Sequence, residues 1–132
     1  TQGDAKAQYN LGDLYRHGNG VTQNFQKAKE WYEKAAAQGN ENAQYNLGHM
    51  YENGIGVRYD IFKAIDWYKK SANQGNISAQ LKLGNIYSDL NLKGYGPTLE
   101  YKNQAEEWFG KACDGGSQIG CDNYKKINKQ IY

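Results

Sequence analysis

The amino-acid sequence repeats itself every 36 residues, and that period constrains the fold more than any other feature. Gly3-Asp4-Ala5-Lys6-Ala7-Gln8-Tyr9-Asn10-Leu11-Gly12 lines up with Gly39-Asn40-Glu41-Asn42-Ala43-Gln44-Tyr45-Asn46-Leu47-Gly48. A second shift reaches Gly75-Asn76-Ile77-Ser78-Ala79-Gln80-Leu81-Lys82-Leu83-Gly84. Tyr15, Tyr51 and Tyr87 follow in register, as do Ala28/Ala64, Trp31/Trp67, Tyr32/Tyr68, Lys34/Lys70 and Ala36/Ala72. Ala105, Trp108, Phe109, Lys111 and Gly116 rejoin the register if five residues are inserted, four of them between Tyr87 and Gly94. A period of this length marks stacked supersecondary units rather than one irregular core.

Each repeat reads as two helices. Ala7, Leu11, Leu14 and Tyr15 form one stripe of a 3.6-residue period, and Ala28, Trp31, Tyr32, Ala35 and Ala36 form another. Asp4, Asn40, Asn76 and Ser117 stand where first helices would be capped, and Asn24 and Asp60 where second helices would be. Gly18 and Gly54 close first helices; Gly39, Gly75 and Gly116 close second ones. The pattern predicts helices over 4–17, 24–38, 40–53, 60–74, 76–90, 101–114 and 117–130. Seven helices in antiparallel pairs give an all-α fold, an α/α right-handed superhelix or solenoid of about three and a half repeats. The whole chain, 1–132, reads as one domain, with repeats near 3–38, 39–74 and 75–115 and a capping helix over 116–132. Gly12, Gly48 and Gly84 fall mid-helix, where glycine costs about 1 kcal/mol relative to alanine. Their recurrence predicts close packing against the facing aromatic of the same repeat rather than a ligand role.

Ala43, Leu47, Gly48, Tyr51, Gly54, Gly56 and Val57, followed by Ala64, Trp67, Ser71, Ala72 and Gly75, carry a pattern that resembles the Sel-1-like repeat, a relative of the tetratricopeptide repeat. Ser71 replaces one alanine of that pattern, and in the last first helix Gly120, Tyr124 and Asn128 replace Ala, Leu and Tyr. The resemblance covers nearly the whole chain and implies a scaffold rather than one particular activity.

Cys113 and Cys121 are the two cysteines. They flank a tight glycine turn between consecutive helices, which brings them within disulfide reach; two buried free thiols are the alternative. A disulfide implies an oxidising compartment, and the pair resembles those of the cysteine-rich bacterial branch of the family, which is exported. The expectation is therefore a periplasmic or secreted bacterial protein whose leader has been removed, since the chain starts at Thr1.

Lys+Arg 16 against Asp+Glu 14 leaves a formal charge of +2, too balanced for a dedicated nucleic-acid binder. Mean hydropathy is -0.96, and no stretch approaches the roughly 20 apolar residues of a membrane span. His17 and His49 occupy different offsets in their repeats and lack ligand spacing, so no metal is expected. The Gly-x-Gly pairs at 18/20, 54/56 and 94/96 follow helices and read as turns, not phosphate loops, and no cofactor is expected. Ser71, Ser78, Ser88 and Ser117 lack the Ser-x-x-Lys pattern, and neither Gly-x-Ser-x-Gly nor His-Glu-x-x-His occurs. The chain thus reads as no enzyme. A weak penicillin-binding or β-lactam hydrolase activity, as labelled for some cysteine-rich relatives, is one alternative. A cytoplasmic adaptor with reduced thiols is the other.

A second stripe on the first helices changes between repeats while the core positions do not. It runs Lys6, Tyr9, Asp13, Arg16, then Asn42, Tyr45, His49, Glu52, then Ser78, Leu81, Asn85, Ser88. The family resemblance assigns these offsets to the concave face. Positions released from packing are where recognition can be encoded, and Tyr9 and Tyr45 are amphipathic anchors of an interface type. The expected function is a non-catalytic monomeric scaffold that binds another protein or an extended peptide, with no nucleic-acid partner and no membrane insertion.

Overall fold

The helices start where a short polar side chain can satisfy the first unpaired amides. In the computed structural model, which describes residues 3–129, the Asp4 carboxylate accepts from the Lys6 and Ala7 amides. Asn24, Asn40, Asp60 and Asn76 do the same for the helices that follow. Each such cap is worth about 1 kcal/mol. Gly18 and Gly54 end their helices in the left-handed conformation, at φ 71° and 64°.

The chain divides into two compact units, with the boundary in sequence between Gln74 and Gly75. The first contains α1 (Ala5–His17), α2 (Phe25–Ala37), α3 (Glu41–Asn53) and α4 (Ile61–Ala72). The second contains α5 (Ile77–Leu92), α6 (Thr98–Asp114) and α7 (Gln118–Lys129). Among the described residues every element is helical. Residues 130–132, the end of the expected capping helix, lie outside the described residues.

Within the first unit α1 packs on α2, α2 on α3 and α3 on α4. The partners of α1 run backwards along α2: Gln8 bonds Gln38, Gly12 faces Tyr32, and the Tyr15 carbonyl takes the Asn24 amide. That ordering makes the pair antiparallel, and Gln44–Gln74, Gly48–Tyr68 and Tyr51–Asp60 repeat it in α3 and α4. The core holds Ala28, Tyr32, Ala35, Ala36, Ala43, Leu47 and Met50, with Tyr9, Tyr15, Phe25, Ile55, Val57 and Trp67 packed against it. Small residues on α2 let the helices approach, and the large side chains fill the layer between them.

The mid-helix glycines explain that approach. A Cβ built on Gly12 would stand 2.5 Å from Tyr32 Cδ1, and one on Gly48 2.7 Å from Tyr68 Cδ1. Both rings are fully buried and have no room to retreat. In the second unit Gly84 meets Phe109 in the same way, at 2.5 Å.

The second unit also shows where the inserted residues go. Helix α5 has 16 residues against 13 in α1 and α3, so part of the insertion is added helix. Helix α6 starts at Thr98, three residues before the expected 101, behind Pro97, which has no side-chain cap. Proline restricts its own φ, here -73°, and so favours helix entry without a capping side chain. Cys113 on α6 and Cys121 on α7 form a disulfide, with Cα atoms 4.5 Å apart. Gly120 stands where the other first helices carry alanine, because its Cβ would fall 2.8 Å from Ala112 Cβ and 2.9 Å from the Cys113 amide nitrogen. The close approach of α7 to α6 requires a bare backbone there.

Two stability measurements check this account. Gly48→Ala would gain about 1 kcal/mol of helix propensity but drive a methyl into an immobile ring, an overpacking cost of about 1–3 kcal/mol. Urea unfolding should show net destabilisation; a raised midpoint would mean that the Tyr68 ring yields. Replacing both cysteines by serine should lower stability by about 2.5 kcal/mol for a loop this short, and peptide mapping without reductant should recover Cys113 linked to Cys121.

Candidate protein-interaction face

Helices α1 and α3 each present one side to the core and an adjacent stripe away from it. In the first unit Lys6 and Asn42 are exposed, while Tyr9, Asp13, Arg16, Tyr45, His49 and Glu52 are half-buried. In the second unit Asn85 is exposed and Leu81 and Ser88 are half-buried. The stripe is therefore partly tied down rather than fully solvated.

The ties come from the same tyrosines that lie on the glycines. The Tyr32 hydroxyl donates to the Asp13 carboxylate, and the Tyr68 hydroxyl donates to Glu52 Oε1 at 2.6 Å. Tyr9 leans on Tyr32 with ring centroids 5.8 Å apart, and Tyr45 on Tyr68 at 5.4 Å, both within the range of favourable aromatic pairs. Each buried tyrosine thus holds one surface aromatic through its ring and one surface carboxylate through its hydroxyl.

Electrostatics follow from this geometry. Burial pushes the Tyr68 and Tyr32 hydroxyls well above the usual tyrosine range, and the hydrogen-bonded carboxylates Glu52 and Asp13 push them further. Burial also raises Tyr9, assisted by Asp13 and opposed by the Asn46 amide. The Arg16 guanidinium opposes the shift at Tyr9, Tyr32 and Tyr68, so its charge acts on the whole cluster. Hydroxyls held protonated in this way are poor bases and poor nucleophiles near neutral pH. The arrangement positions rings and charges; it does not activate a reacting group.

His49 Nδ1 lies 3.1 Å from the Asn53 amide nitrogen, which also bonds the His49 carbonyl at 3.0 Å. His17 is exposed. Among the described residues no group of three or more His, Cys, Asp or Glu side chains could hold a metal. No helix of the described residues is long and apolar enough to cross a membrane.

Sequence reasoning placed Asp13 and Glu52 on a free surface and missed their bonds to the core. The signal was present in covariation within the chain: the third repeat has Phe109 in place of the tyrosine, and Asn85 and Ser88 in place of a carboxylate. Hydroxyl and carboxylate are lost together. Also missed was how the buried Gln8 and Gln44 are satisfied from exposed glutamines, with Gln38 Nε2 donating to Gln8 Oε1 at 2.8 Å and Gln74 Nε2 to Gln44 Oε1 at 2.9 Å.

Comparison with known proteins matches this architecture. The Sel1 repeat pattern matches residues 5–40, 42–76 and 77–117. A Sel1 repeat protein of Oxalobacter formigenes is 36% identical, with a TM-score of 0.84 over 98% of this chain and 51% of its own. A protective antigen present in uropathogenic Escherichia coli strains, which displays an SLR fold, is 40% identical, with a TM-score of 0.82 over 98% of this chain and 27% of its own. Helicobacter pylori cysteine rich protein B is 27% identical, with a TM-score of 0.64 over 92% of this chain and 96% of its own. The chain thus spans about half or less of the first two structures.

The raised tyrosines set a pH dependence. A hydroxyl whose pKa is higher in the folded than in the unfolded chain stabilises fully below the unfolded value, about 10, and that contribution is lost as pH rises above it. Unfolding free energy should therefore fall with pH above about 10. The fall should be shallower in Tyr68→Phe, which also loses about 1–2 kcal/mol at neutral pH by leaving Glu52 without its donor. Ultraviolet titration should show Tyr32 and Tyr68 ionising only with unfolding; their titration in the intact fold near pH 10 would contradict the geometry.

Proposed function

The chain belongs to the Sel1 repeat family, and on that premise we propose that it is a non-catalytic scaffold that binds another protein through the α1/α3 stripe. Sel1 repeats typically serve as protein–protein interaction scaffolds. The observation that carries the reading is the pair Tyr9 and Tyr45, each half-buried and held against a core tyrosine. Rings fixed before binding lose little entropy on binding, which is what a recognition anchor needs. Lys6 and Asn42 supply exposed polar groups beside them, and Leu81, Asn85 and Ser88 give the third repeat its own version of the stripe. The working form is a monomer of one domain.

The disulfide supports an extracytoplasmic site of action, because such bonds persist in oxidising compartments. We place the protein in a bacterial periplasm or outside the cell on that ground. The buried Tyr32 and Tyr68 hydroxyls behind the stripe, held protonated against Asp13 and Glu52, favour binding over hydrolysis.

The test is affinity capture from an envelope fraction followed by titration of the captured partner. Tyr45→Ala should cost at least about 2 kcal/mol, as central aromatic anchors do, and Lys6→Ala should act mainly on association rate and its salt dependence. Lys125, exposed on α7, serves as the control. Equal affinity for Tyr45→Ala and Lys125→Ala would place the binding surface elsewhere.

A further inference from the structure

A groove of about 350 Å³ opens between α2 and the loop that joins α3 to α4, built from residues that the stripe does not use. Lys29, Tyr51, Val57, Arg58, Tyr59 and Lys63 line it. Its wall is firm. Gly56, at φ 68°, is pressed so closely on α2 that a Cβ there would meet Phe25 Cβ at 2.5 Å, and the Asp60 amide bonds the Tyr51 carbonyl at 3.0 Å.

Part of this lining is scaffold. Lys63 Nζ lies 5.5 Å from the centroid of the Tyr51 ring, and Lys27 over Tyr15 repeats the arrangement at 5.3 Å. Arg58 and Tyr59 are different. Their counterparts one repeat earlier are Thr22 and Gln23, and the Gln23 amide closes α1 by donating to the Arg16 carbonyl at 2.7 Å. Tyr59 has no side-chain amide to take that role. Its side chain stands 61% exposed, beside an Arg58 guanidinium that has no partner among the described residues. Lys29 adds a cation held loosely to Glu33 at 3.8 Å.

The charge of the groove is positive. Lys29, Arg58 and Lys63 face one carboxylate, Asp60, which is already engaged by the Phe62 and Lys63 amides at 3.1 Å. Asp60 already occupies the Phe62 and Lys63 amides at the start of α4 and sets a carboxylate where a phosphate would sit, and the net charge of +2 is too small for a nucleic-acid surface. Aromatic and aliphatic lining between spaced cations fits side chains of a polypeptide instead.

We propose that this groove is a second docking site, for an acidic segment of a partner protein that sets an aromatic or apolar side chain against Tyr59 and carboxylates against Arg58 and Lys63. It stands independently of the α1/α3 stripe. Arginine beside an exposed tyrosine is an interface pairing, and opposite charge on the partner would speed encounter and fix register.

The test titrates the full chain with a labelled peptide in which glutamates flank a central phenylalanine, read by anisotropy and by amide shifts in NMR. Shifts should centre on residues 57–63 and not on Tyr45. Arg58→Glu should weaken binding about tenfold, and added salt should weaken it in the wild type. Tyr59→Ala, at an equally exposed position, should weaken it several-fold, and Tyr45→Ala should leave it unchanged. The same peptide with lysine for glutamate should not bind. The proposal is overturned by no binding at millimolar peptide, by affinity insensitive to Arg58→Glu and Tyr59→Ala, by shifts centred on α1 and α3, or by an oligonucleotide that binds the groove more tightly than the peptide.

Discussion

The contact on which the rest depends is an aromatic ring pressed against a bare helix backbone. Tyr32 on Gly12, Tyr68 on Gly48 and Phe109 on Gly84 set the distance between the two helices of each repeat. Everything around them adapts to that distance. The alanines of α2 and α4 are small because the helices are close, and the antiparallel pairing follows from turns that return the chain over the ring. A mid-helix glycine weakens an isolated helix, but in a repeat array the loss is offset by burial of the ring, a favourable term of about 1.5–3 kcal/mol.

In the first unit the same ring does a second thing. A fully buried tyrosine whose hydroxyl reaches a half-buried carboxylate carries the core's order outward to the surface. Its ring seats Tyr9 or Tyr45, and its hydroxyl orients Asp13 or Glu52. Phe109 has no hydroxyl, so in the second unit the contact stops at packing, and Tyr87 pairs with Tyr101 at 5.8 Å instead. A single oxygen atom thus separates a repeat that only packs from a repeat that also presents ordered charge.

What the sequence revealed and what it concealed divide along the same line. Core positions were legible because each is required at one offset in every repeat, so the period displays them directly. The caps were legible for the same reason. Asp13 and Glu52 were not, because they stand one helical turn apart in register: the tyrosine hydroxyl can be satisfied from either turn, and no offset repeats. The glutamine pairs showed both members but not their pairing, since Gln38 and Gln74 recur as Gln8 and Gln44 do. Gln8 and Gln44 recur visibly, but their partners stand 30 residues on, at the far ends of the antiparallel helices, and only the folded pair brings them together. The start of α6 was misjudged because Pro97 supplies backbone restriction rather than a capping side chain.

A position where two repeats solve one structural problem with different residues is a position released from the scaffold. At the stripe, Asp13 and Glu52 meet the same hydroxyl need, which leaves Arg16 and His49 to vary in charge beside them. At the loop, Gly18 and Gly54 end α1 and α3 in the same left-handed conformation, but Gln23 adds a bond to the Arg16 carbonyl, whereas its counterpart Tyr59 is exposed. The physical criterion is the same in both places: one repeat makes a bond that the residue at the same offset in the next repeat does not make. Variation alone would not identify such sites, since a solvated face also varies. Variation beside a fixed contact does, because the fixed contact holds the freed side chain in a defined place, and a defined place is what recognition requires.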